Sequence, residues 1–150
     1  MVVQKSCSKN SDVFNFENLL VRLKKDYSTF NFVGGRKFAF RPPSTIVIGP
    51  IEPQMELLLL HELGHATLGH RDFKTDVTRL KMENEAWEKA RELADKYGVE
   101  FDDDLTQSEL DTYRDWLHQK SRCPVCGLTR FQTPDSRYHC PRCESFKQKK

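Results

Sequence analysis

LLLLHELGHATLGH, residues 57–70, opens on four leucines and then sets His61 and His65 four positions apart, with Glu62 between them. Residues four apart on a helix lie one turn apart on the same face. Two imidazoles so placed can point at one metal ion while the neighbouring carboxylate reaches the water bound to it. The stretch therefore predicts an apolar helix that carries a metal centre. Pro50 and Pro53 punctuate the approach, with Pro53 expected in the first turn, and Gly69 is placed to stop the helix in a left-handed conformation.

Two histidines leave a catalytic zinc short of its usual three protein ligands. A second long helix is predicted from Asp76 to Tyr97, ended by Gly98. With Glu83 set at zero and an advance of about 100° per residue, Leu80, Met82, Ala86, Trp87, Ala90, Leu93, Ala94 and Tyr97 all fall within about 100° of it. Glu83 thus occupies the middle of an apolar face, where an ionised carboxylate costs several kcal/mol unless a cation or a hydrogen-bond network compensates. Glu85 lies roughly 200° away, on the side of Lys81, Lys89 and Glu92. Glu83 is accordingly the expected third ligand. His70, five positions beyond His65 and past Gly69, reads instead as a polar group hydrogen-bonding at the helix end. Tyr113 and His118, together with Tyr97 and Arg114, are candidates to stabilise an oxyanion, and their spacing does not rank them.

The rest of the chain supplies the elements around this pair of helices. Phe16, Leu19, Leu20, Leu23 and Tyr27 recur at helical spacing and predict a helix over residues 14–27. Two alternating runs, Thr29–Val33 and Lys37–Phe40, flank Gly34-Gly35 and read as a hairpin, with a third strand at Thr45–Ile48 after Pro42-Pro43. The acidic stretch Glu100–Asp104 reads as a turn, and Thr106 with Glu109 as the capping box of a third core helix carrying Leu110, Tyr113, Trp116 and Leu117 and ending near Lys120. The expected class is α+β: a small three-stranded sheet packed on the motif helix and its neighbours.

Cys123, Cys126, Cys140 and Cys143 give C-x2-C-x13-C-x2-C, with Pro-Val and Pro-Arg inside the two turns. This spacing lets each turn present two thiolates to one tetrahedral ion, so a C-terminal zinc ribbon held by all four cysteines is expected, closed and structural. The expected cofactors are therefore two Zn2+ per chain, one catalytic and one structural. From Ser121 onward seven Arg or Lys stand against two acidic residues, a net +5, which leaves −3 for the preceding residues of a chain whose total is +2. Two roles for the ribbon stay open: a cap on the body, or a binding module using Arg130, Phe131, Arg137 and Tyr138 for nucleic acid or a protein target. The longest uncharged apolar run, Leu57–Leu60, is too short to cross a bilayer, and the first twelve residues carry no apolar signal core. No membrane partner and a reducing, cytoplasmic setting are expected.

HELGHATLGH with the later ENEAWEKA resembles the gluzincin type of metallopeptidase, and within it the small ImmA/IrrE-like peptidases and minimal gluzincins. Their downstream signature is Glu-x-x-Ala followed by a polar or aromatic residue, and Glu83, Asn84, Glu85, Ala86 and Trp87 fit it. Trp87 departs from the Asn or Asp usual in ImmA/IrrE-like members. The match covers about residues 40–97 and implies His61, His65 and Glu83 as zinc ligands and Glu62 as catalytic base, acting on a protein or peptide substrate. A cysteine ribbon behind an HExxH domain is also similar to the SprT-like, DNA-associated proteases, which use a third histidine. The expected layout is a flexible N-terminus (1–13), a zincin-like domain (14–120), the ribbon (121–146) and a basic tail (147–150). The alternative from another class is a non-catalytic zincin-fold binding or regulatory protein, and a third possibility is a latent enzyme.

Overall fold

A computed structural model describes residues 9–144, with side chains from residue 15. Its elements are α1 (Lys9–Asp26), β1 (Asn31–Gly34), β2 (Ala39–Arg41), β3 (Thr45–Ile48), α2 (Met55–Thr67), α3 (Asp76–Tyr97), α4 (Asp103–Ser121), β4 (Phe131–Gln132) and β5 (Tyr138–His139). Cys7, Phe146 and the basic tail lie outside the described residues, as does most of the N-terminal stretch expected to be flexible. The first helix starts at Lys9, earlier than the apolar repeat alone marks.

The class is the expected one, α+β, with a three-stranded sheet packed against helices that include α2 and a C-terminal cysteine cluster resembling a zinc ribbon. The strand order differs from a simple hairpin series. β3 is central, pairing in parallel with β1 (Asn31 opposite Thr45) and antiparallel with β2 (Phe40 opposite Ile46). The expected hairpin across Gly34-Gly35 is therefore not formed. Two physical reasons account for this. TIVI is the most apolar of the three runs, and Ile46 and Val47 point to opposite faces yet are both buried, which suits only the middle position. Gly35 serves as a crossing point: a Cβ there would lie 2.3 Å from Val47 Cγ1, so the chain passes over β3 and returns on its far side.

The chain divides into two compact units, residues 1–70 with 86–101 and residues 71–85 with 102–150, so α3 begins in one and continues into the other. In the first unit, α2 is largely buried, through Met55, Leu57, Leu59, Leu60, Leu63 and Ala66, as befits a helix with so many apolar residues. α1 covers the core with Phe16, Leu19 and Leu23, and α3 with Ala86, Trp87, Ala90, Leu93, Ala94 and Tyr97, the face read from its periodicity. α2 starts at Met55 behind a left-handed Gln54, so Pro53 precedes the helix and is not part of its first turn. Gly69 ends it at φ 67°, as its position predicts.

In the second unit, Asp76 at the start of α3 is a buried hub. Its carboxylate accepts from Tyr138 Oη at 2.7 Å, Lys120 Nζ at 2.8 Å and Gln132 Nε2 at 3.3 Å, and its backbone N–H donates to Gln132 Oε1 at 2.7 Å. The β4–β5 hairpin is thereby tied to α3 and α4. α4 begins at Asp103, ahead of the proposed capping box: Asp102 is the cap, its side chain accepting from Leu105 N at 2.9 Å. Asp103 and Asp104 in the first turn complement the helix dipole, which is why the acidic stretch extends the helix. Thr106 is buried inside, its hydroxyl donating to the Asp102 carbonyl at 3.0 Å.

Candidate metal centres

α2 places His61 and His65 on one face, and their Nε2 atoms converge to 3.2 Å. Two nitrogens bound to one tetrahedral zinc stand about 3.3–3.4 Å apart, given Zn–N bonds of about 2.0–2.1 Å. The pair is therefore already spaced as ligands. His61 is held by Trp87, whose ring stacks on it with centroids 4.2 Å apart and planes 28° from parallel. Trp87 thus packs against one of the two motif histidines. One helical turn before Trp87 stands Glu83, only 9% exposed, and one ligand atom from each of His61, His65 and Glu83 lies within 4.8 Å of the others. Two imidazole nitrogens and a buried carboxylate form a donor set that suits a divalent cation.

Tyr113, from α4, has the Arg79 guanidinium over its ring, 5.2 Å from the centroid, and Glu83 close enough to act on its hydroxyl. Its pKa is raised, first by burial and then by the negative charge on Glu83, with Arg79 opposing. Tyr113 therefore sets a hydroxyl beside Glu83. His118 lies five residues further along α4, about 140° round the helix, and is exposed. The structure thus separates two side chains that spacing alone left level.

Glu62 is half-buried, and its Oε2 accepts from the backbone N–H of Phe40 at 2.6 Å. Phe40 lies on β2, an edge strand, and this bond runs from the edge to the motif helix. The second carboxylate oxygen is not part of this bond. His70, read as a helix-end polar group, has its Nδ1 2.8 Å from Nδ1 of His65.

No family model, characterised protein or solved structure shows a significant match to this chain.

The second cluster is Cys123, Cys126, Cys140 and Cys143, whose sulfurs all lie within 4.8 Å of one another. Cys123–Cys143 and Cys126–Cys140 are separated by 3.8 and 3.5 Å. These are no disulfides, and Zn–S bonds of about 2.3 Å place tetrahedral sulfurs about 3.8 Å apart. The Cys123 thiol is lowered to about 6, first by the backbone N–H groups of Cys126 and then Val125 turning onto its sulfur. Cys143 is pushed up to about 12, first by its hydrogen bond to Cys126 and then by burial. Four sulfurs this close resist ionising together without a cation. The residues present fit zinc at both clusters.

The ribbon's other singled-out residues have partners of their own. Tyr138 is bonded to Asp76, and its hydroxyl is pushed up to about 12, first by burial and then by that bond. Arg130 donates to the Lys120 carbonyl at 2.8 Å and lies over the Tyr138 ring, 5.1 Å from its centroid. Arg137 pairs with Asp135 at 2.5 Å. Phe131 is 56% exposed and stacks on His139. Sequence reasoning missed the roles of Asp76 and Gln132, whose only signal was an acidic residue at a helix start.

Proposed function

We propose that this chain is a zinc-dependent metallopeptidase of the gluzincin type, hydrolysing a protein or peptide substrate, with His61, His65 and Glu83 holding the catalytic zinc and the four cysteines a structural one. The observation that carries this reading is the pairing of Glu62 with the convergent ligands and with the N–H of Phe40 on an edge strand. Bound there, zinc would polarise a substrate carbonyl and lower the pKa of a water toward neutrality. Glu62 is the proton carrier: it takes a proton from the attacking water and returns it to the leaving amine. The Phe40 N–H fixes one of its oxygens and leaves the other to face the water. Tyr113 donates to the carbonyl oxygen as that atom gains negative charge. β3 has a strand on each side, whereas β2 lies at the sheet edge beside Glu62 and would align an extended substrate by edge pairing. No helix among the described residues is long and apolar enough to cross a membrane, and the reading places the enzyme in the cytoplasm.

The test is hydrolysis of an unfolded protein by the zinc-loaded chain and by Glu62→Gln. The amide still accepts from Phe40 N–H and cannot carry the proton, so the variant is expected to keep its zinc and lose activity by about 10²–10⁴-fold. Equal turnover in both proteins would remove Glu62 from the chemistry, and no turnover in either would favour a regulatory protein that keeps the fold for recognition.

A further inference from the structure

His70 is set apart from the proposed chemistry by its spacing: five residues beyond His65, it would stand about 140° round a continuing helix. The helix does not continue. Gly69 takes φ 67°, and two backbone bonds close the end, Gly69 N to the Ala66 carbonyl at 3.2 Å and His70 N to the His65 carbonyl at 3.0 Å. This 5→2 and 6→1 pair is the Schellman arrangement, and it folds the chain back along the axis. The consequence is specific to this pair. His70 is tied to the His65 carbonyl by its main chain, and its ring comes to 5.0 Å from the His65 ring, with Nδ1 facing Nδ1 at 2.8 Å.

The two nitrogens of His65 therefore face different partners. Nε2 looks at His61 Nε2 and Nδ1 looks at His70. A neutral imidazole has one N–H and one lone pair. A lone pair directed to a metal from Nε2 puts the proton on Nδ1, where it donates to His70, and His70 must then accept at Nδ1 and carry its own proton on Nε2. One donor and one acceptor across 2.8 Å is a normal hydrogen bond, so the tautomers of both rings are set together.

We propose that His70 is a positioning residue for the catalytic metal centre, the acceptor that fixes the tautomer and ring plane of the ligand His65. It takes the place usually filled by a carboxylate or carbonyl behind a metal-bound histidine. This inference rests on the ligand set proposed above. Gly69 is part of the same device, since the left-handed turn is what returns His70 to His65.

The test measures zinc affinity by chelator competition on the full chain, comparing the native protein with His70→Leu and His70→Asn, and follows the His65 ring by nitrogen NMR. Asn carries an acceptor oxygen where histidine has Nδ1; Leu fills the space without one. His70→Leu is expected to weaken one of two zincs about 10–100-fold and to leave the ribbon's zinc, an internal control for folding, unchanged. His70→Asn should recover most of the loss. In the native zinc form, the His65 Nδ1 should carry the proton. A native chain that binds only the ribbon's zinc overturns the ligand set itself. Two zincs with unchanged affinity in His70→Leu, equal losses in the Leu and Asn variants, or a proton on His65 Nε2 would each overturn the role of His70 alone.

Discussion

Gly64 lies so close to Ala86 that a Cβ added to it would stand 2.6 Å from the Ala86 carbonyl oxygen. The obstacle is helix backbone, which cannot swing aside. This contact sets how near α2 and α3 approach, and the approach brings the His61 ring onto Trp87, one turn from Glu83. The glycine inside HELGH is thus a spacing device between two helices.

Gly64→Ala should therefore move the helices apart. Alanine in place of glycine favours a helix by about 1 kcal/mol, but overpacking a close contact costs about 1–3 kcal/mol. The expected net is a loss of up to about 2 kcal/mol in urea unfolding, together with weaker zinc binding at the histidine site. A variant as stable as the native chain, with unchanged zinc affinity, would mean the contact does not govern the site.

Tyr113→Phe keeps the ring and removes the hydroxyl beside Glu83. Loss of one donor to a developing oxyanion lowers kcat by about 10²–10³-fold, and a fall of that order with little change in KM is expected. His118→Ala, altering an exposed residue on another face of α4, should leave turnover within about twofold. Reversal of that order would assign the role to His118.

Asp76 links stability to pH. Burial alone would raise its pKa, but hydrogen bonds from Lys120, Tyr138 and Gln132 outweigh burial and hold it below its ordinary 3.8. A carboxylate lowered on folding contributes stability that is present above the unfolded pKa and lost as pH falls through the folded one. Asp76→Asn should cost about 2 kcal/mol at pH 7, measured by urea unfolding. The gap between native and variant proteins should narrow steadily below about pH 4. A gap that stays constant into acid would show that the charge on Asp76 contributes nothing.

Periodic burial was legible in the sequence, and cooperative geometry was not. The face of α3 that carries Glu83 followed from spacing because a helix repeats every 3.6 residues whatever surrounds it. The limits of α3, Asp76 to Tyr97, and the stop at Gly69 followed from local signals of the same kind. The strand order did not, because Gly34-Gly35 resembles a turn until Val47 is seen beneath Gly35. The start of α4 went to Asp102 because several acidic residues competed to cap one helix. At the candidate metal centre, His61, His65 and Glu83 could be paired from their faces alone. The hydrogen bonds from Phe40 to Glu62 and between His70 and His65 depend on a strand edge and a chain reversal that no spacing rule reports.

The central claim is that α2 and α3 together hold one metal ion through two imidazoles and a carboxylate. Counting zinc per chain by mass spectrometry of the native protein and of Glu83→Ala tests it most directly. Two zincs are expected in the native chain and one, retained by the four cysteines, in the variant. A Glu83→Ala protein that still holds two would contradict the account.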